Sequence, residues 1–324
     1  MADIHGKKIK LFTLSASKKL GAEIAEKLGI SLSELTVTRF ADGEVSIDIK
    51  ETVRGHDVFV IQSTNAPVNE NYMELLITID ALKRASAKSI NIVMPYYGYA
   101  RQERKALPRQ PISARLMADL LQVAGADRVV CIDLHAAQIQ GFFDIPIDNM
   151  LASPILAKYI DEKNIQDLCV VSPDHGGTTR ARKFAEFFNA PLAIMDKRRI
   201  GPNQVGQMTV LGDVKDKNVV VIDDMVDTGG TICLACEKLK ESGAKSIIVC
   251  CTHPVLSGPA CERLQNSSID EFVCTNTIEL PESKKFPKLT QLSCGDLLAH
   301  AILNIIDSQS ISVLFDYDAK HKVQ

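Results

Sequence analysis

VVVIDDMVDTGGT, running from Val219 to Thr231, sets an apolar run, a pair of carboxylates and a Gly-rich loop in one line. Val219 to Ile222 has the unbroken hydrophobicity of a parallel strand buried on both faces. Asp223 and Asp224 follow, then Asp227 beside Thr228, Gly229, Gly230 and Thr231. ICLACEKLKESGAK has helical spacing and SIIVCC reads as the next strand, so the order is strand, loop, helix, strand. In such a unit the loop lies at the carboxyl end of the sheet and opens a helix whose first N–H groups lack intrahelical partners. Glycines and threonine hydroxyls at that position suit an anionic phosphate, because free donors and the helix dipole both favour negative charge. The neighbouring carboxylates would repel a phosphate but accept hydrogen bonds from sugar hydroxyls. An ordinary βα turn also uses Gly and a Thr cap, yet it does not require three carboxylates. The combination points to a phosphorylated sugar.

Strands alternate with helical segments on either side of this stretch, as in an α/β protein with mostly parallel sheets. IKLFTLS, VFVIQST, SINIVMPY and RVVCIDLH read as strands of a first half, with helices through KKLGAEIAEKLG, MELLITIDALKRAS and SARLMADLLQVAG and an extended piece around LTVTRFADGEVSIDI. The second half repeats the order. CVVSPDHGGTTRARKFAEFFNAP lies over LFTLSASKKLGAEIAEKLGIS, and VVVIDDMVDTGGT with its helix and strand lies over VFVIQSTNAPVNENYME with its own. LKRASAKSI and LKESGAKSI nearly coincide, which marks a duplication at domain scale. The expected division is residues 1–150, 151–310 and a tail over 311–324. In the first copy the corresponding loop has no glycine and no acidic pair, so only the second half retains the sugar-phosphate cradle.

The 324 residues, 46% hydrophobic and 24% charged, suffice for two globular domains. A net charge of −3 leaves no basic footprint for nucleic acid. No apolar run approaches the ~18 residues of a membrane span and no signal segment opens the chain, so neither membrane nor export is expected. Nine cysteines, several inside apolar strands, fit reduced thiols in the cytoplasm. Cys233 and Cys236 have metal spacing but lie in a helical pattern without a second pair, and read as core.

Four other stretches carry chemistry. MPYYGYARQERK sets aromatic rings beside Arg101, Gln102, Arg104 and Lys105, a composition suited to stacking and charge-assisted contact with a nucleotide. His135 and Asp174 end strands, where open α/β sheets place ligands, and together suit a divalent cation such as Mg²⁺ that keeps waters and phosphate oxygens. DKRRIGPNQVGQM puts Lys197, Arg198 and Arg199 on an expected flexible loop, able to close over a polyphosphate. RFADGE reads on its own as a surface turn at Asp42-Gly43.

Two acidic residues, a short spacer and D-T-G-G-T resemble the PRPP-binding motif of the phosphoribosyltransferase fold. With RFADGE, YARQERK, CIDLHAAQIQGFF, SPDHGGTTRAR, DKRR and CCTHPVLSGPA in this order, the chain resembles the ribose-phosphate pyrophosphokinases (PRPP synthetases) of the phosphate-activated class over almost its whole length. That resemblance implies two tandem phosphoribosyltransferase-like domains and the reaction of ATP with ribose 5-phosphate to PRPP and AMP, with Mg²⁺. It implies that Phe40, Asp42, Gly43 and Glu44 contact the adenine end of ATP across a subunit interface, and that Arg101 and Gln102 also bind ATP. His135 and Asp174 would hold Mg²⁺, Lys197 and Arg199 would be catalytic, Asp223 and Asp224 would bind the ribose hydroxyls, and Asp227, Thr228, Gly229, Gly230 and Thr231 the 5-phosphate. A homohexamer, with phosphate and ADP as effectors, is the corresponding assembly. Glu103 and Leu107 depart from the family pattern, the latter in a segment tied to regulation. A nucleobase phosphoribosyltransferase consuming PRPP would explain neither the duplication nor DKRR. A non-catalytic regulatory homologue would not be expected to keep Lys197, Arg199, His135, Asp174 and the whole loop.

Overall fold

The computed structural model describes the backbone of residues 2–201 and 204–315, and the side chains of these outside 2–3, 197–201 and 204–207. Of the expected tail, residues 316–324 lie outside the described residues. Two units emerge: Met1–Leu151 with Thr277–Glu279 and Ser293–Phe315, and Ala152–Asn276 with Leu280–Leu292.

The first unit contains β1 (Ala2–Ile4), β2 (Lys7–Thr13), α1 (Lys18–Leu28), β3 (Leu35–Arg39), β4 (Val45–Ile49), β5 (Asp57–Ile61), α2 (Val68–Arg84), β6 (Ser89–Met94), α3 (Ser113–Ala124), β7 (Arg128–Ile132) and β8 (Ile147–Met150). The second contains α4 (Ser153–Glu162), β9 (Leu168–Ser172), α5 (Thr178–Glu186), β10 (Leu192–Gly201), β11 (Gln204–Leu211), β12 (Asn218–Val226), α6 (Gly230–Glu241), β13 (Ser246–Pro254), α7 (Ala260–Asn266), β14 (Glu271–Thr275) and β15 (Leu289–Leu292). The last helix, α8 (Gly295–Asp307), returns to the first unit. The expected division kept residues 151–310 together, whereas by contact 277–279 and 293–315 group with the first unit. The apolar face of α8, with Leu298, Ile302 and Ile306 buried, packs on α1, and Ser293 donates to Glu23 at 2.6 Å beside it.

The duplication is visible as topology. The first sheet runs β1-β2-β5-β6-β7-β8 and the second β11-β10-β9-β12-β13-β14-β15, so β2-β5-β6-β7-β8 and β9-β12-β13-β14-β15 are the same parallel core. The copies differ in the hairpin between the first two core strands. In the first unit β3 and β4 form a separate two-stranded ribbon, whereas in the second β10 pairs with β9 and brings β11 to the sheet edge.

Strand β12 shows why its run is uninterrupted. Val219 and Val221 face a core with Ile232, Leu239 and Leu264 of α6 and α7, while Val220 and Ile222 face one with Leu156, Ile160 and Phe184 of α4 and α5. Side chains alternate across the strand and both faces are covered, so every position is apolar. Each fully buried Val or Ile contributes about 1.5–3 kcal/mol relative to exposure.

Helix α2 begins at Val68 rather than near Met73. Pro67 precedes it with φ −75°, and Tyr72, Leu75, Ile79 and Leu82 share one buried face, so the polar residues that read as loop are its first turns.

Candidate functional site

Strand β12 pairs with β9 only as far as Val221, opposite Val171, but with β13 as far as Val226, opposite Pro254. The strand therefore runs beyond the apolar run and carries Asp223 and Asp224 on it. Past Val221 a gap opens between the ends of β9 and β12. From β9 the chain passes through α5 on one face to β10; from β12 it passes through α6 on the other face to β13. The gap is thus a topological switch point, where open α/β sheets bind ligands. It holds a cavity of about 190 Å³ lined by Asp174, Asp223, Asp227, Thr228, Gly229, Gly230 and Thr231, among others.

The cradle follows from how the loop carbonyls are engaged. Leu256 N–H donates to the Val226 carbonyl at 3.0 Å, Ser257 N–H to that of Asp227 at 3.0 Å, and the Arg263 guanidinium to that of Thr228 at 3.2 Å. In a trans peptide the N–H points opposite to its carbonyl. The N–H groups of Asp227, Thr228 and Gly229 therefore point away from this wall, side by side. Gly229 has φ 74° and ψ −8°, the left-handed conformation that turns the loop into α6. The free N–H groups of the first helical turn follow directly. Sequence reasoning missed the wall; Leu256, Ser257 and Arg263 are 30 to 35 residues from the carbonyls they hold and carry no local sign of it.

Asp224 is buried, 5% exposed, and Asp223 is half-buried. Burial and the charge of Asp224 push the Asp223 carboxyl well above the usual carboxylate range, and Arg180 of α5 opposes that rise. On the other side of the gap, Asp174 follows β9 and accepts the N–H of Gly177 at 2.9 Å, just before α5. His175 contacts Asp196 of β10 at 2.9 Å. The expected flexible loop after Asp196 has paired backbone: β10 and β11 form an antiparallel hairpin with Lys197 opposite Met208 and Arg199 opposite Val205. The side chains of Lys197 and Arg199 lie outside the described residues. Cys236 packs in the core of α6, and burial drives the Cys233 and Cys236 thiols up from their ordinary values.

The equivalent gap in the first unit is filled by its own side chains. Glu74, fully buried, accepts the N–H of Ser15 at 2.7 Å; Gln62 accepts that of Ala16 at 3.0 Å; and Ser17 accepts that of Ser63 at 2.9 Å. The N–H groups of Ser15 and Ala16, in the connection that corresponds to the one after β9, are thereby satisfied internally. His135 is exposed just beyond β7, in this unit, while Asp174 is exposed in the second. Arg101 and Gln102 are exposed, and Gln102 is fixed to the start of α3 by Ser113 at 2.6 Å. Of the aromatic rings beside them, Tyr96 and Tyr97 are buried at 6% and 2%, which corrects the expectation of a stacking platform; Tyr99 alone of the three is exposed. Phe40 is 59% exposed at the β3–β4 turn, where Glu44 N–H bonds the Asp42 side chain and Gly43 has φ 95°.

Fold and topology together define a protein of two phosphoribosyltransferase-type domains. The family model for the N-terminal domain of ribose phosphate pyrophosphokinase matches residues 9–125, and the phosphoribosyl transferase domain model matches residues 142–291. The chain is 60% identical over 308 residues to the ribose-phosphate pyrophosphokinase of Bacillus caldolyticus, covering 95% of this chain and 98% of that one. It is 57% identical over 316 residues to that of Bacillus subtilis (strain 168), covering 97% and 100%. A crystal structure of phosphoribosylpyrophosphate synthetase from Mycobacterium smegmatis superposes with a TM-score of 0.89 at 46% identity, over 93% of this chain and 100% of that one. The chain belongs to the ribose-phosphate pyrophosphokinase family, and its activity is that of a ribose-phosphate diphosphokinase, which makes PRPP.

Proposed function

We propose that the switch-point crevice of the second unit holds ribose 5-phosphate, with the 5-phosphate on Asp227 to Thr231 and the ribose hydroxyls on Asp223 and Asp224. The observation that carries this reading is the row of N–H groups at Asp227, Thr228 and Gly229 set beside a carboxylate pair. ATP is held by Arg101 and Gln102 and, across a subunit interface, by Phe40, Asp42, Gly43 and Glu44. The anomeric hydroxyl attacks the β-phosphorus, the bond from that phosphorus to the oxygen bridging to the α-phosphate breaks, and AMP leaves with PRPP as the other product. No protein nucleophile is needed; positioning and neutralisation of charge lower the barrier. Lys197 and Arg199 neutralise charge on the transferred group.

His135 and Asp174 are the proposed ligands of a magnesium ion. His135 and Asp174 are both exposed, and one Asp174 oxygen is committed to Gly177. Among the described residues no group of three or more potential ligands exists, so a cation would depend on waters and phosphate oxygens, as Mg²⁺ characteristically does. When bound, Mg²⁺ would offset charge on the triphosphate. Membership of the phosphate-activated class, a homohexamer, regulation by phosphate and ADP, and a cytoplasmic location complete the proposal. No described helix is long and apolar enough to cross a membrane.

The test is release of AMP from ATP by the purified protein. Release that depends on both ribose 5-phosphate and Mg²⁺, and stops with a chelator, is expected. AMP release independent of ribose 5-phosphate across a range of phosphate concentrations would overturn the assignment.

A further inference from the structure

Arg180 lies two residues into α5, outside the phosphate loop, and its guanidinium reaches both carboxylates of β12. Nη1 is 3.3 Å from Oδ1 of Asp224 and 3.6 Å from Oδ1 of Asp223. The two aspartates are neighbours on one strand, so their side chains start on opposite faces of the sheet. Asp223 lines the cavity, whereas Asp224 is turned towards the α5 side and is nearly inaccessible. Two adjacent carboxylates repel, and the strand itself supplies no charge to offset that repulsion. A cation placed between them does. Arg180 is itself 23% exposed in its side chain, so its charge is weakly screened by solvent. A planar guanidinium can bridge two carboxylates from a fixed position, which a flexible ammonium does less well.

From this geometry we infer that Arg180 is a positioning residue for ribose 5-phosphate: it draws Asp223 and Asp224 together at the end of β12 and fixes the orientation in which they accept the sugar hydroxyls. This rests on the reading of Asp223 and Asp224 as the hydroxyl acceptors. Arg180 acts through the carboxylates and does not touch the substrate. Burial and mutual repulsion raise the Asp223 carboxyl, and Arg180 is the cation that counters them, which agrees with the geometry. Asp224 N–H also donates to Oδ1 of Asp223 at 2.9 Å, so the backbone at the pair is tied to the same arrangement.

The experiment compares R180Q, R180K, D224N and the double variant R180Q/D224N in steady-state assays of AMP release, with folding followed by thermal melting. R180Q is expected to raise KM for ribose 5-phosphate by about 10- to 100-fold, the range set by losing a charged hydrogen-bond partner, while KM for ATP stays within about twofold. R180K should recover part of that loss, because charge is restored but the bridge is not. D224N alone should raise the same KM, and R180Q added to D224N should raise it little further, because the two residues act as one unit. If R180Q does not fold, R180K against the unaltered enzyme carries the comparison, with a rise of about 3- to 10-fold expected. An unchanged KM for ribose 5-phosphate in R180Q, or in R180K where R180Q fails to fold, while D224N raises it, overturns the role of Arg180 alone. Additive effects in the double variant overturn it too, since Arg180 would then contact the substrate itself. An unchanged KM in D224N overturns the ribose reading and this inference with it.

Discussion

Gly229→Ala separates backbone strain from steric blocking in the phosphate loop. A Cβ at Gly229 would meet nothing closer than 3.7 Å, the carbonyl of Ala260 and the side chain of Leu264, so space is not the obstacle. The obstacle is φ 74°, which costs an L-residue roughly 1–2 kcal/mol. That energy has two outlets. If the wall of Leu256, Ser257 and Arg263 holds the loop in place, the strain appears as lost stability, a fall in melting temperature of roughly 2–8 °C for a domain of this size. If the loop relaxes instead, the N–H row is lost and kcat/KM for ribose 5-phosphate falls about 5- to 30-fold. The lower-energy route caps the other, so the sum of the two effects is bounded by the strain. Gly230→Ala provides the contrast. Gly230 has no positive φ, and only Arg263 Nη1, at 3.7 Å, lies within reach of its added Cβ. It should keep or slightly raise the melting temperature, as Ala does in a helix, yet weaken ribose 5-phosphate binding by placing a methyl group beside the cavity. Thermal melting and steady-state kinetics on both variants decide the matter. A Gly229→Ala protein with both quantities unchanged would refute the argument from backbone conformation.

Two further outcomes are expected. Lys197→Ala should slow turnover by on the order of 10²–10⁴-fold with little change in either KM, as expected for a group that stabilises charge in the transition state; near-normal AMP release would remove Lys197 from the mechanism. Glu271 is raised by burial but brought below the ordinary value by Lys163 at 2.8 Å, Tyr159 and Thr290. A depressed carboxylate contributes stability above its unfolded pKa of about 4.3 and loses it as pH falls through the folded value. Glu271→Gln should therefore cost about 1–2 kcal/mol at pH 7, and urea melts of the two proteins should converge towards pH 3; a pH-independent gap would refute this.

What could be read from sequence was local. The run Val219 to Ile222, the helix after it and the strand Ser246 to Cys251 each carry their own period, and the matching order of the two halves made the shared parallel core legible. What could not be read depends on partners distant in the chain. Asp223 to Val226 remain in β12 only because β13 continues alongside. The residues around Arg199 read as a loop because Gly and Pro interrupt them, and only pairing with β11 makes them a strand. Tyr96 and Tyr97 looked like a nucleotide platform by composition, and burial in the core decided otherwise. Arg180 reaches Asp224 across 44 residues, and Arg263 reaches Thr228 across 35. No window of sequence contains either pair.

The two copies show what makes one such crevice receptive. Both have the same core topology and both place a strand-to-helix connection at the corresponding gap. In the first, Glu74 and Gln62 reach from α2 and the end of β5 to take the N–H groups of Ser15 and Ala16, and Ser17 takes that of Ser63. In the second, the carbonyls of the connection after β12 are held from outside by Leu256, Ser257 and Arg263, which turns the N–H groups of the same peptides towards the cavity. A buried N–H must be satisfied by something. Filling from within makes a core, and holding from behind makes a site. The carboxylates differ too: Glu74 accepts the Ser15 N–H with one oxygen and lies 3.8 Å from Arg39 with the other, whereas Asp223 and Asp224 share Arg180 at the cavity. Restoring an anion site in the first unit would therefore take more than glycines at its loop; Glu74 and Gln62 would have to go as well.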